Sequence, residues 1–513
     1  MEIKKCRLQD LEASLSGENP DIGTENFHLI LSELAVEHGV EWVLTEHPYI
    51  DRDFKNEHGA LFTHQFRTIP NVCIRVHFFV REPHVPYRDC ADAYRGYMVL
   101  RPLPSAMIGR TVLPVPKRKI YGATQLITTA AQFQPHLLDD TMSIYGTPFC
   151  EQDGMMMRCA QAALWVTTRV MYKKFRTELH FTNDINEAAV EGFRTAGRTF
   201  PLDGGLQIGE MVNALNHLGF YPQLIEGHRG LELSELLSVS VPYVTSGLPV
   251  ILGLPEHVVA AIGVLISSRK LSRGNHMDAL QSFEDWVAGF VVHDDAAGPY
   301  RIMPRQKWLT KKKASALGTL LRVPGKIEES DTGDVDAALI PCIKEMWLSI
   351  SDARDQAKRF LFAAPFWNFV SDATAGLYPK SLDALVAESG TPLVIRWRIV
   401  SSKLFKEDAI PKGSELRERM GGVHMPRYVW LGELFWARDM SRPVEEWQVC
   451  GEVIIDATSN QHYPSVLVIH LPKLLYLRDP NGGWGDCFGQ NPSKATILRL
   501  AKDVPRPDVL DFH

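Results

Sequence analysis

The chain has 513 residues, of which 45% are hydrophobic and 23% charged. These are globular averages, so disorder is excluded as a general description, and at ~100–200 residues per domain the length implies roughly three domains. Fifty-five Lys and Arg against 61 Asp and Glu give a net charge of −6, which argues against a nucleic-acid-binding role, since that needs a basic excess.

In chain order, residues 1 to about 145 open with a helical pattern around Phe27–His38. Strand-like runs follow at Val72–Val80, Tyr97–Leu103 and Thr111–Val115. Residues 155–174 read as one helix, because Ala160, Ala163, Leu164 and Met171 recur at helical spacing. A second helix is expected over Gly209–Leu218, with Gly219 as its C-cap. Pro249–Leu254, Val258–Ile266 and Gly289–Val292 are β-rich. The run Pro249–Ile266 is nearly long enough to span a membrane, but Pro255, Glu256 and His257 stand at its centre, so it reads as two strands. The acidic, apolar-poor stretch Lys326–Asp336 is expected to be a domain boundary. Beyond it, Cys342–Phe362 looks like a long amphipathic helix, and strands are expected at Leu393–Val400, Arg427–Trp436, Trp447–Ile455 and Ser465–His470.

Eight cysteines without a CxxC pair look like reduced thiols rather than a disulfide framework, which points to a cytoplasmic location. The N-terminal residues lack the apolar core of a secretory signal, and no membrane association is expected. One cysteine is placed for chemistry. Cys159 opens the run Cys159-Ala-Gln-Ala-Ala-Leu-Trp165, and a thiol at a helix N-terminus is poised to ionise. Upstream, the side-chain amide of Gln152 is a candidate oxyanion donor. Downstream, His257 begins an apolar strand, and the strand ending in His293-Asp294-Asp295 supplies a carboxylate to orient an imidazole. Asp294 is the first choice for that carboxylate, Asp295 the alternative. Cys150 lies in strand-like sequence and is the nearest competing thiol.

These pieces together resemble a papain-like cysteine peptidase, closest to the bacteriocin-processing branch that trims double-glycine leaders. The matching elements are Gln152, the Cys159 helix start, the Leu218-Gly219-Phe220 unit, Leu248–Gly253 running into His257, and the His293-Asp294 strand end. The resemblance covers about residues 145–305. It implies Cys159 as nucleophile, His257 as general base and acid, Asp294 as orienting residue and Gln152 as oxyanion donor, with no metal or organic cofactor. The stretch departs from that family at Ala160, where a glycine is usual, and in a longer His-to-Asp interval that the polar loop Ser267–Glu284 would fill. No membrane spans or nucleotide-binding cassette, the usual transporter context, are read in the chain.

The expected architecture is therefore α+β. An N-terminal α+β domain (1–144) is followed by a papain-like catalytic domain (145–325), whose Cys-bearing helix packs on an antiparallel sheet, and by a C-terminal α+β accessory domain (337–513). The expected function is a soluble thiol hydrolase cleaving a peptide or isopeptide bond in a protein or peptide substrate. An inactive papain-like binding module and a transglutaminase-like acyltransferase remain as alternatives. The flanking domains, by their size and lack of catalytic motifs, are expected to select substrate or to await a regulatory protein partner. Other signals have plainer readings. Lys117–Lys119 and Lys311–Lys313 are taken as solvated, Arg101 and Arg110 as strand-end packing, and Trp430, Phe435, Trp436 and Trp447 as core or interface. Glu433 and Asp456 sit in apolar strands and need partners that the sequence does not identify.

Overall fold

The computed structural model describes the chain except for residues 1, 16–24, 104–105, 118, 121–122, 193–204, 228–231, 272–277, 306–334, 461–464, 479–494, 501–505 and 508–513. Within it, the β-branched and aromatic runs of the first 115 residues form one antiparallel sheet. Its strands are β1 (Glu2–Arg7), β2 (Trp42–Tyr49), β3 (Cys73–Phe79), β4 (Tyr94–Leu100) and β5 (Ile108–Val112), extended by the two-residue strand Pro148–Phe149. All seven residues of β3 are buried, as a strand covered on both faces requires. One cover is helix α1 (Glu25–His38), which turns Phe27, Ile30 and Leu34 inward.

The second sheet carries the chemistry. It runs in the order β7 (Gln223–Glu226), β12 (Ala337–Ile340), β8 (Val250–Leu254), β9 (His257–Ser267), β10 (Val287–Asp294) and β11 (Gly298–Pro304), with β6 (Ala123–Ile127) on β9. All these pairings are antiparallel. β8 and β9 form the hairpin expected at Pro249–Ile266, with Leu254 opposite His257. β9 meets β8 over its first half and β6 over its second, where Gly263 is required. A Cβ there would stand 2.5 Å from the Leu126 carbonyl oxygen.

Helix α2 (Cys159–Phe175) packs across β8, β9 and β10, burying Ala160, Ala162, Ala163, Leu164, Val166, Val170 and Met171. The small residues at its start let helix and sheet approach closely. Helix α3 (Ile208–His217) ends as expected, with Gly219 at φ +84° just beyond it. Helix α4 (Leu233–Thr245) lies between the second sheet and a third. Its Tyr243 hydroxyl donates to Gln223 at 2.9 Å and its ring meets Trp430 edge-on.

The third sheet runs from the short parallel edge strand Leu280–Ser282 through β13 (Leu393–Ser401), β14 (Tyr428–Trp436), β15 (Gly451–Asp456), β16 (Val466–Leu471) and β17 (Leu474–Arg478) to β18 (Ala495–Arg499). Trp430, Phe435 and Trp447 are core residues, as expected. Glu433 finds both Arg396 and Arg398, and Asp456 accepts from the backbone N–H and hydroxyl of Thr458. The molecule is thus a mixed α+β protein with several antiparallel sheets. Among the described residues, no helix is long and apolar enough to cross a membrane. The seven described cysteines carry no disulfide.

Four sequence expectations need correction. The helix expected over 155–174 begins only at Cys159, because the amides of Met155, Met156 and Met157 donate to the Asp153 carboxylate instead of starting a helical turn. The long helix expected over Cys342–Phe362 shortens to α5 (Ile350–Leu361). The amides of Trp347 and Leu348 donate to Ala457 just past the end of β15, and Ser349 caps α5 by accepting from Asp352. The loop Ser267–Glu284 is not wholly irregular, since Leu280–Ser282 pairs in parallel with β13. Finally, the sheets cross the boundaries drawn at 144/145 and 325/337. Ala123–Ile127 and Ala337–Ile340, assigned by sequence to the flanking domains, complete the second sheet. Short strands carry little local signal and settle where an open edge needs backbone partners. Residues 326–334 of the expected linker and the run Lys311–Lys313 lie outside the described residues.

Candidate active site

The antiparallel pairing of β9 with β8 and β10 brings His257, the first residue of β9, to the same end of the sheet as Asp294, the last residue of β10. Their side chains meet, with His257 Nε2 3.1 Å from Asp294 Oδ1. The same carboxylate oxygen accepts from the amides of Ala296 and Ala297, at 2.9 and 3.1 Å, so the turn after β10 fixes its position. Cys159 is the second side-chain partner of the ring and helps favour its charged form. The three side chains expected from sequence therefore converge, and Asp294 rather than Asp295 holds the imidazole.

The electrostatics follow from this contact set. Burial opposes charge on His257, but the bonds to Asp294 and Cys159 outweigh it and hold the ring pKa at about 10. Burial likewise works against the Asp294 charge, yet the imidazole and the two amides bring its pKa below the usual carboxylate value. Asp295 is treated differently. Burial and the neighbouring Asp294 charge push it up to about 7, and its Oδ2 has no hydrogen-bond partner. One sheet end thus offers a cationic ring, an ionised carboxylate and a second carboxyl that is easily protonated. Ligand atoms of His257, Asp294 and Asp295 lie within 4.8 Å of one another, the one such group among the described residues. A cation there would compete with the proton shared by the ring and Asp294.

Cys159 is the first residue of α2 and is half-buried. Its backbone N–H is one of those a helix start leaves unpaired, since the first helical bond runs from Ala162 to the Arg158 carbonyl. Gln152, Cys159, His257 and Asp294 all line one cleft of about 1270 Å³. An amide side chain, a helix-terminal N–H and a thiol therefore face a shared space. Apolar walls come from Leu206, Ile208, Met211, Leu254, Val258 and Met303. Cys150 is fully buried, with its sulfur 3.4 Å from that of Met157, and burial pushes its thiol pKa far up. It is unsuited to be a nucleophile. His293 is also a core residue. Its Nδ1 faces the Pro148 carbonyl, its ring lies between Phe149 and Tyr300, and burial lowers its pKa to about 3.

Sequence reasoning did not find the residues that hold the stretch before Cys159. Asp153 Oδ1 accepts from three successive amides at 2.7, 2.7 and 2.9 Å. Arg101 donates to the Glu151 carbonyl and to Glu57, and Glu151 itself accepts from Asn26 and from the Ile108 amide. On the far side, Asn186 donates to the Met156 carbonyl and accepts from Gln161 in the first turn of α2. The helix is anchored further along by Asp53, which takes Trp165 Nε1 at 3.1 Å and pairs with Arg169, while Arg110 binds Asp51. Arg101 and Arg110 are thus internal ion-pair partners, held by buried carboxylates rather than by strand-end packing alone. The N-terminal sheet acts as the clamp that sets Gln152 and Cys159 against His257. An Asx-type turn at Asp153, six residues before the helix start, was the one local signal available.

Asp153→Ala strips three amides of their acceptor. It is expected to cost about 1–2 kcal/mol locally, in the range of a lost helix cap. Hydrogen exchange at residues 154–157 should accelerate and the labelling rate of Cys159 should fall, while strands β13 to β17 keep their protection.

Compared with known proteins, the chain matches no family model and no curated sequence.

Proposed function

We propose that the protein is a cysteine peptidase of papain-like design, acting through Cys159, His257 and Asp294. The observation that carries this reading is the ordered contact Asp294–His257–Cys159 at the mouth of a cleft that Gln152 also lines. With the thiol proton already held by the His257 ring, Cys159 attacks the scissile carbonyl as a thiolate paired with the imidazolium, forming a C–S bond. The oxyanion so generated faces the Gln152 amide and the Cys159 N–H, donors typically worth about 3 kcal/mol each in such sites. The imidazolium then protonates the departing amine as the C–N bond breaks. Water, deprotonated by the now neutral imidazole, cleaves the thioester and restores the thiol. Asp294 holds the ring through Nε2 and stabilises its charge. Ala160, where related peptidases carry glycine, is accommodated because its methyl is buried in the packed start of α2.

A peptidyl vinyl sulfone tests the reading, since it needs both a peptide-shaped cleft and a nucleophilic thiol. Wild type and Cys150→Ser are expected to be labelled at Cys159, and Cys159→Ala is expected not to react. Equal labelling of wild type and Cys159→Ala, or labelling of neither, would falsify the reading. Adding a primary amine during turnover separates hydrolysis from acyl transfer by whether a new amide product forms.

A further inference from the structure

We infer that Arg158 is a specificity residue whose guanidinium receives a carboxylate carried by the substrate beside the scissile bond. The inference rests on the peptidase reading and adds the charge class of its substrate. Arg158 immediately precedes the nucleophile, in extended backbone with φ −111° and ψ −177°. Its N–H donates to Gln161 Oε1 at 3.3 Å, which ties its backbone to the first turn of α2. Its stem passes Gly205, where a Cβ would stand 3.4 Å from the Arg158 Cδ. The side chain lines the same cleft as Cys159, Gln152 and His257.

One observation separates it from the other arginines around the site. Arg101, Arg110, Arg169 and Arg301 are each paired with a carboxylate. Arg158 has no ion-pair partner among the described residues, and its Nε, like those of Arg101, Arg110 and Arg169, is buried without a hydrogen bond. A buried guanidinium nitrogen left unpaired is costly, and a carboxylate satisfies it with paired, charge-assisted bonds. The other charged groups of the cleft narrow the choice. Glu226 and Asp336 stand at the tips of β7 and β12, on the far side of β8, and Glu256 stands in the β8–β9 turn. They repel an anionic group from that wing. Apart from the catalytic imidazole, Arg158 is the one cationic side chain lining the cleft among the described residues, so an acidic group on the substrate is drawn to the nucleophile's side of it.

The test compares two alkylating agents of nearly equal size, anionic iodoacetate and neutral iodoacetamide, on the intact chain. In both, Cys159 Sγ displaces iodide, and the ratio of the two rates at Cys159 cancels any general change in thiol reactivity. Arg158→Gln is expected to lower the iodoacetate-to-iodoacetamide ratio by roughly five- to tenfold, as for loss of one charge-assisted contact, and Arg158→Lys is expected to retain most of it. An unchanged ratio in Arg158→Gln, with Cys159 still reactive, overturns the inference and leaves the peptidase reading standing. A Cys159 no more reactive than a free thiol toward either reagent removes both. A second measurement uses wild type alone, as protection of Cys159 from iodoacetamide by short peptides. A peptide with a free α-carboxylate and no acidic side chain, and an amidated peptide with an internal glutamate, are each compared with their neutral amide counterparts. Stronger protection by one acidic form is expected and identifies which carboxylate Arg158 takes, and equal protection by all four overturns the inference.

Discussion

His257→Ala is expected to lower the rate at which a peptide substrate acylates Cys159 by roughly 10²–10⁴-fold, the usual contribution of a positioned general acid and base. The loss has two parts. Without the ring the thiolate has no imidazolium counter-charge, and the departing amine has no proton donor. A pH profile distinguishes this from mere damage to the fold. In wild type, the Asp294 and Cys159 contacts keep the ring protonated until pH passes about 10. Leaving-group protonation should therefore persist to alkaline pH and fade only above that value. Asp294→Ala removes the largest contact that raises the ring pKa, while burial still favours the neutral form. Its alkaline limb should then move down from about 10 toward the ordinary 6.5. The same linkage acts on stability. Because the folded value lies above the unfolded one, the His257–Asp294 contact contributes fully below pH 6.5, and its contribution is lost as pH rises through about 10. Stopped-flow acylation across pH 5–11, with both variants checked by circular dichroism, measures these limbs. An alkaline limb that stays in place in Asp294→Ala would show that the contact does not tune the ring.

Glu433→Ala is expected to destabilise the chain by about 3–5 kcal/mol, the cost of leaving buried charge uncompensated. Glu433 is 0% exposed and lies in the middle of β14. It accepts from Arg396 Nε and Nη2 at 3.0 and 2.6 Å, and from Arg398 Nε and Nη2 at 2.9 and 2.7 Å. Both arginines lie on the adjacent strand, and antiparallel register sets Arg396 directly across from Glu433. Two guanidinium groups thus share one carboxylate in the core of the third sheet. Denaturant unfolding followed by tryptophan fluorescence reads the loss, since Trp430 and Trp397 lie in the paired strands. Glu82→Ala breaks an exposed pair with Lys5 and is expected to leave the midpoint in place. Equal midpoints for Glu433→Ala and wild type would mean that water or other groups take over the carboxylate's role.

The strand pair around His257 was legible in the sequence, because two β-branched runs flank a Pro-Glu turn where the chain must reverse. The start of α2 was legible in kind but not in position. Helical spacing extends back to residue 155, and nothing local reveals that Asp153 captures three amides first. The segment 342–349 was misread for the same reason. Its apolar spacing suits a helix, but Trp347 and Leu348 donate to Ala457, more than a hundred residues later in the chain. The partners of Glu433 were absent from the sequence reading because strand register, not proximity along the chain, supplies them.

The sequence by itself determined which residues are chemically capable: a thiol opening a helix, a histidine and an aspartate at strand ends, an amide upstream. Those features are local, written in residue type and in the periodicity of a few turns. Only the tertiary structure decided that Asp294 and not Asp295 holds the ring, that Cys150 is sealed in the core, and that an N-terminal sheet clamps the approach to Cys159. Each of these depends on which backbones pair and which side chains lose water, and such long-range choices are settled by packing and by the need to satisfy buried polar groups.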